Sequence, residues 1–540
     1  MILLTGIAFA QVPLEYRLLK KFRETGDTGT ALFILNNYPE AVFIGELKVE
    51  LSEILFKKGD TSRAKRMLED IDLSKVRDEY GKRVMALWKK LTLPPKKLVL
   101  RFPELAREYI SEVQLTSEER ETVLKRLLRK GFYEDVLKFS GNFCLYKGIA
   151  LQRLGRYEES LEVLKNCEDE RSEVYALISY IKMDDLKGAE RYVRWKDKGK
   201  LYFLLGWEFL KRGYYRKARR YISLSGFNYR RYFYIGLIDY IRGNFLLAYE
   251  NFSEAERYVK GNRDKAQVYF WKFKVLKKLG FDELAYNYLK KSADLTGFYS
   301  AVARIYLGKR VYENPDYTFF DEREGRLAKE LIAIKNLGFL YYMRLEAFKK
   351  VEKFTPEDIA YLVNADPYVA IKVAVKKFGV NSNIYKTVAF PIPFRSVVNR
   401  ISDAHRIDPA LIYAIMRQES LFDPIAISRS DAKGLMQLLD RTAQWTAKRT
   451  GYKLNNVFDV ETNIYLGTAF LRYLLDLWKG DLVRAIASYN AGQGAVSRWI
   501  DYRDDYVFIE TIPFNETRNY VKRVLWFYYI YREKLSDKAF

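Results

Sequence analysis

A glycine followed five residues later by a small residue recurs through the first 300 residues: Gly59 and Ala64, Gly155 and Ser160, Gly213 and Ala218, Gly243 and Ala248, Gly280 and Ala285. The surrounding text is alike in Leu154-Gly155-Arg156-Tyr157, Arg212-Gly213-Tyr214-Tyr215 and Leu279-Gly280-Phe281-Asp282. Each part has a physical reason. Glycine ends a helix because it accepts the left-handed backbone at no steric cost. An aromatic packs in the turn, and a small residue lets the second helix approach the first closely. From about residue 12 to about residue 390 the apolar spacing is helical almost throughout, without a convincing alternating series for strands. The chain is therefore expected to be built from helix pairs.

This is a tetratricopeptide-like grammar. The spacings between glycines are irregular, and the nearest to the ~34-residue repeat are 30 and 37. Degenerate repeats favour a superhelix of helix pairs over a regular array, with a continuous core and one concave face. The alternative is a helical domain without functional curvature. The two cysteines, Cys144 and Cys167, flank the Gly155 turn symmetrically. If 143–154 and 157–167 form an antiparallel hairpin, they meet near its open end, where an exported protein could close a disulfide. Buried free thiols are the alternative. Residues 12–300 are thus read as the superhelix and 301–393 as a less repeat-like helical connection. Phe390-Pro391-Ile392-Pro393-Phe394 marks the boundary, since two prolines in four residues stop helices and force extended backbone.

With 540 residues, at least two domains are expected. The net charge of +24 is unevenly placed. Residues 394–540 carry 21 Lys/Arg against 17 Asp/Glu, a net +4, which leaves +20 for the rest. A basic surface suits an anionic polymer, and a solvated lysine-rich surface is the plainer reading. No nucleic-acid-binding motif is recognised, so nucleic acid is not expected as a partner. At the start, Ala8-Phe9-Ala10 looks like a small-x-small cleavage site after a short apolar run, so residues 1–11 are read as a signal peptide without a basic leader. An apolar helix beginning is the alternative. No apolar stretch of membrane-spanning length follows. The only histidine, His405, cannot supply a metal cluster or a nucleophile's base, so it reads as structural and no metal or cofactor is expected.

The stretch Asp408–Ser420 carries the chemistry. Asp408 is a good N-cap, and Pro409 fits the first helical position. Ile412, Ile415, Met416 and Glu419 share one face by their spacing. A carboxylate beside buried apolar groups, and near a helix C-terminus, has its charged form disfavoured. Both effects suit a general acid near neutral pH. A solvated Glu at a helix end, or one paired with an arginine, is the ordinary alternative.

The residues that follow decide between them. Glu419-Ser420-Leu421-Phe422-Asp423-Pro424 leads to Ser428 and Gly434-Leu435-Met436-Gln437. Further on come Ala487-Ser488-Tyr489-Asn490-Ala491-Gly492 and Glu516-Thr517-Arg518-Asn519-Tyr520-Val521. Over residues 394–540 this series resembles the catalytic domain of the soluble lytic murein transglycosylases, which has a goose-type-lysozyme-like fold. The expected fold class is thus all-α, a tetratricopeptide-like superhelix followed by a lysozyme-like helical domain.

The resemblance implies cleavage of peptidoglycan between N-acetylmuramic acid and N-acetylglucosamine without water, in the periplasm. Glu419 protonates the glycosidic oxygen and then takes the proton of the muramyl 6-hydroxyl, leaving a 1,6-anhydromuramyl end. Ser428 matches a serine that binds the substrate's N-acetyl group. Gln437 is placed on the next helix, facing the cleft. Tyr489 and Asn490 match the tyrosine-asparagine pair, and the phenol could orient Glu419 or stabilise developing positive charge. Glu516 matches a peptide- or sugar-contacting glutamate, or is a first-turn Glu favoured by its helix dipole. Asp431 and Asp440 stand where the family often has Gly and Pro. The glycan strand is the expected partner, and cell-wall protein partners stay unspecified. Asp423, Asp431 and Asp440 offer no singled-out second carboxylate, as a hydrolytic muramidase would need. That muramidase and a partner-binding helical scaffold are the alternative functions.

Overall fold

The computed structural model describes residues 12–91, 95–312 and 325–536. It is 72% helical and has no sheet. Among the described residues, the isolated bridges Ile427–Lys433 and Lys433–Leu438 are the only strand-like pairing. Residues 1–11, with the expected signal peptide, lie outside the described residues. No helix among those described is long and apolar enough to cross a membrane.

The glycine frame works as read. Gly59, Gly155, Gly213, Gly243 and Gly280 have φ between 76° and 85°. The next N–H closes back over each helix end: Asp60 to the carbonyl of Leu55 at 2.9 Å, Arg156 to Leu151 at 3.0 Å, Tyr214 to Phe209 at 2.9 Å. This bond satisfies a carbonyl that the helix end would otherwise leave open. The small residues five positions on, Ala64, Ser160, Ala218, Ala248 and Ala285, are all fully buried. In the Gly155, Gly213 and Gly243 hairpins the first helix gives room as well. A Cβ on Gly148 would meet Leu164 at 2.4 Å, and one on Gly206 would meet Ile222 at 2.6 Å. The same turn recurs at Gly131–Val136 and Gly338–Met343, and at Asp184–Ala189, where an aspartate takes φ 60°.

The chain divides into two compact units, Met1–Lys196 with Arg326–Lys353, and Asp197–Gly325 with Phe354–Phe540. In the first, the helix Leu340–Lys349 packs back on the opening helices. Arg23 donates to the Tyr342 hydroxyl at 2.8 Å, Tyr16 donates to Glu346 at 3.3 Å, and buried Glu46 is held by Arg77 at 2.6 Å. Cys144 opens the helix Cys144–Arg153 and Cys167 follows the helix Tyr157–Lys165, and the two are joined as a disulfide with Cα atoms 5.7 Å apart.

In the second unit, the hairpins of 199–223, 229–258 and 262–293 stack side by side and are followed by Phe298–Tyr306. The C-terminal helices are numbered here: α1 Arg395–His405, α2 Pro409–Glu419, α3 Asp440–Thr450, α4 Val460–Leu477, α5 Leu482–Ala491, α6 Gln493–Val496, α7 Asp505–Thr511 and α8 Asn515–Ser536. Helices α2 and α8 pack along each other, with Tyr413 stacked on Tyr531 at 5.3 Å. His405 sits edge-on to Tyr465 at 4.8 Å.

The proline segment is not a solvated linker. Its carbonyls are claimed one by one: Ala389 by Arg417 at 2.6 Å, Phe390 by Lys534 at 2.8 Å, Pro391 by Tyr531 and Pro393 by Tyr413, both at 3.1 Å. Buried donors need acceptors, and prolines leave their carbonyls unspent on helix bonds. The hairpins of this unit grip α7 and α8 by a second polar node. Buried Glu510 accepts from Gln267 and Tyr299 and pairs with Lys522 at 2.7 Å.

Candidate active site

Helix α2 starts as its sequence dictates. The Asp408 carboxylate accepts from the Ala410 N–H at 2.9 Å, with Pro409 in the first turn. Ile412, Ile415 and Met416 are fully buried. Glu419, on the same face at the last position, is only half-buried, so its carboxyl stands where the apolar seam meets solvent. The Tyr520 hydroxyl on α8 donates to Glu419 Oε1 at 2.6 Å. Desolvation by the surrounding protein raises the Glu419 pKa to about 7; the Tyr520 hydrogen bond and the charge of Arg523 oppose the rise, and Glu516 adds to it.

The chain after Glu419 is held tightly. Ser420 donates to the Leu435 carbonyl at 2.8 Å, which ties the end of α2 to the turn 434–437. That turn rests on buried Asn463 of α4. Its amide oxygen accepts from Met436 N at 2.8 Å, and its nitrogen donates to the carbonyls of Lys433 and Val457. Gly434 has φ 76°, and a Cβ there would strike Asn463 at 2.3 Å. Position 434 thus needs glycine twice over, for conformation and for space.

The other sequence-derived residues fall into three places. Tyr489, at the end of α5, donates to the Met436 carbonyl at 2.9 Å, so it braces the turn and does not hydrogen-bond Glu419. It lies within the electrostatic reach of Glu419, and burial followed by that charge raises its pKa well above the ordinary value. Asn490 accepts from Thr517 of α8 at 2.7 Å, one turn before Tyr520. Glu516 is exposed in the first turn of α8 and acts on Glu419 through its charge.

Gln437 is not on a helix, contrary to expectation. It sits in the turn with φ 51°, and its amide donates to the carbonyls of Gly434 at 2.9 Å and Ala426 at 3.2 Å. The reason is the bridge of Lys433 to Leu438, which folds 434–437 into a loop before α3 begins at Asp440. Ser428 is exposed on the preceding loop, where its hydroxyl accepts from the backbone of Ser430 and Ala432.

Three further residues complete the site. Tyr520 lies inside the motif text that includes Glu516, four residues on, so both share a helix face. Asn463 carries no motif signal, because its role is to bond backbone. Arg523 donates to the Gln418 side chain at 2.8 Å and lies one turn beyond Tyr520.

Comparison with known proteins gives these positions a context. Residues 396–511 match the family of the transglycosylase SLT domain, and 511–539 match the soluble lytic transglycosylase helical domain. Residues 396–511 are thus similar to the SLT domain, and the name is used below for residues 394–540 as a label. The soluble lytic murein transglycosylase of Escherichia coli K12 is 37% identical to this chain over 157 residues, which make up 28% of this chain and 24% of that protein. The protein of the same name from Salmonella typhimurium is 36% identical over 157 residues, with the same coverage. The match thus spans about a quarter of the length of these relatives.

Solved structures extend the likeness in fold alone. The 70-kDa soluble lytic transglycosylase of Escherichia coli superposes with a TM-score of 0.65 at 18% identity, covering 97% of this chain and 91% of that one. Lytic transglycosylase Slt of Pseudomonas aeruginosa, solved as an inactive Glu-to-Gln mutant, superposes with 0.59 at 20% identity, covering 94% and 89%. The fold class is therefore the expected one, a helical superhelix with a lysozyme-like SLT domain.

Proposed function

We propose that this chain is a peptidoglycan lytic transglycosylase of the periplasm. It breaks the β-1,4 bond between N-acetylmuramic acid and N-acetylglucosamine and leaves a 1,6-anhydromuramyl end. The observation that carries this reading is Glu419: a half-buried carboxyl at the end of α2, raised to about pKa 7 and fixed by Tyr520. One group that protonates a leaving oxygen and then accepts the 6-hydroxyl proton works best with a pKa near the working pH. Tyr520 fixes which carboxyl oxygen is free to act, since Oε1 is occupied.

The surrounding carboxylates support a single-acid mechanism. Asp423 is buried and caps the Ile425 N–H at 3.0 Å, and Asp431 and Asp440 both pair with Lys433. Ser428 and Gln437, on one loop, and Asn490, beside α8, are proposed to bind the sugars. Tyr489 is proposed to keep the 434–437 turn in register beneath them.

One observation favours a second reading. Glu516 lies close enough to act on Glu419, so it could hold a water for hydrolysis with the same acid. Digestion of purified peptidoglycan with mass analysis separates the two, because anhydro products are one water lighter than reducing ends. Reducing ends alone would overturn the transglycosylase reading, and an undigested polymer would overturn both.

A further inference from the structure

Two arginines beside the acid are unused by this mechanism. Glu516, Tyr520, Arg523 and Phe527 follow one face of α8 at helical spacing. Tyr520 holds Glu419 and Arg523 holds Gln418, so the stripe runs past the acid. One turn further, Trp526 carries the guanidinium of Arg263 at 5.5 Å from its ring centroid. Arg263 comes from the first turn of the helix Asn262–Leu279, in the hairpin repeats. Gly297 makes room for it: a Cβ there would meet Arg263 Cγ at 3.2 Å, and its φ of 100° also requires glycine.

Both arginines are exposed, and among the described residues neither is within ion-pair distance of a carboxylate. Crowding by protein, and then the charge of Arg263, disfavour the charge of Arg523; Glu516, Tyr520 and Glu419 favour it. Two guanidiniums so placed repel each other, and an anion between them would recover that energy through charge-assisted, fork-shaped hydrogen bonds.

Building on the transglycosylase reading, we infer that Arg263 and Arg523 form a carboxylate subsite that reads the anionic group of the strand held against Glu419. The ligand is a carboxylate on the muramyl unit, supplied either by the stem peptide or by the bare lactyl group of a peptide-free unit. The subsite is shared: one arginine comes from α8 of the SLT domain and the other from the repeats. Its contribution is binding, so its loss falls on KM; because the charge of Arg523 also lowers the Glu419 pKa, the strands are compared within each variant at the optimum of its own pH profile.

Three soluble glycan strands of equal length test this with the full chain. One carries free stem carboxylates, one has all carboxylates converted to methylamides, and one has its stems removed so that only lactyl carboxylates remain. The expected result is a KM about tenfold lower for the first or the third strand, whichever carries the carboxylate that is read, than for the amidated one, the size of one charged hydrogen-bonding contact. A low KM for the third strand assigns the lactyl group, and a high one assigns the stem peptide. In the Arg263→Gln, Arg523→Gln double variant the preference should collapse. Arg263→Lys with Arg523→Lys should retain part of it, through charge without the fork. Thermal unfolding checks that each variant is folded. Equal KM for all three strands in the unsubstituted chain, or an undiminished preference in the folded Gln variant, would overturn the subsite alone. Failure of the unsubstituted chain to cleave any strand would overturn the transglycosylase reading, and the subsite with it.

Discussion

The hairpin repeats and the SLT domain handle left-handed backbone in opposite ways. In the repeats it falls on glycines, at the same place in each hairpin, where the conformation costs nothing. In the SLT domain it falls on bulky residues as well as on glycines such as Gly434. Among the described residues, seven of the nine non-glycine residues with positive φ lie in 394–540, and Leu421, Phe422, Asp431 and Gln437 surround the site at 51° to 67°. Each such residue costs about 1–2 kcal/mol. It persists because its surroundings leave no other choice. Phe422 is buried, Ser420 is tied to Leu435, and Asn463 fixes the turn. The repeats are built to be cheap, and the loops around Glu419 are built to be fixed.

The first way to sharpen this contrast is to remove the group that the fixed region serves. Glu419→Gln should fold and lose at least ~100-fold in kcat on peptidoglycan, the usual share of general acid–base catalysis. It should also be more stable above neutral pH. The Glu419 pKa is raised from 4.5 to about 7 in the fold, so the folded state binds more protons, and the native protein loses stability as pH climbs from about 4.5 to about 7. The glutamine variant should escape this loss, on the order of 2 kcal/mol at pH 8. A chemical-denaturation midpoint at pH 8 no higher than that of the parent would count against a desolvated acid.

Next in size, Tyr520→Phe removes the hydroxyl that lowers the Glu419 pKa. Turnover should fall about tenfold through lost orientation, and the alkaline limb of kcat/KM, expected near pH 7, should move to higher pH. A limb that stays put or moves down would show that Tyr520 does not act on Glu419.

The glycine side of the contrast predicts smaller effects. Gly213→Ala places a side chain at φ 76° and should cost about 1 kcal/mol, read as a lower denaturation midpoint with kcat unchanged. Asp184→Gly tests the exception. Aspartate holds the left-handed position there at φ 60°, so glycine should stabilise the hairpin by a few tenths of a kcal/mol, and a loss above about 1 kcal/mol would show that the aspartate side chain matters more than its backbone.

Legibility in the sequence follows the same division. The hairpin turn could be read because one backbone conformation demands one residue type. It was missed at Asp184, where another residue takes that conformation, and at Gly131 and Gly338, where the buried follower is Val136 or Met343 and not a small residue. In the SLT domain, motif text located Glu419, and cap and spacing rules placed its helix. The reading of the family pattern put Gln437 on the next helix, because a glutamine with positive φ looks like any other glutamine. The family resemblance offered Tyr489 to orient Glu419 or to stabilise positive charge; the hydrogen bond to Glu419 comes from Tyr520, because side-chain reach depends on how α5 and α8 pack and not on motif order.

The proline segment has a consequence for how this domain could travel between proteins in evolution. The SLT family model begins to match at residue 396 and the prolines precede it, so a place to cut and rejoin genes chosen by that match would fall there. A piece beginning at 394 would nonetheless leave Arg417, Lys534, Tyr531 and Tyr413 without the carbonyls they hold, and two of these are cations buried to within a tenth of their surface. Losing such an acceptor costs about 1–3 kcal/mol for each buried donor, and more when the donor is charged. Tyr385, within 3.4 Å of Arg417, extends the dependence further back. The smallest heritable piece therefore includes the helix Asn383–Val388, and a recombination that respects sequence similarity alone would deliver the acid without the strap that secures its helix.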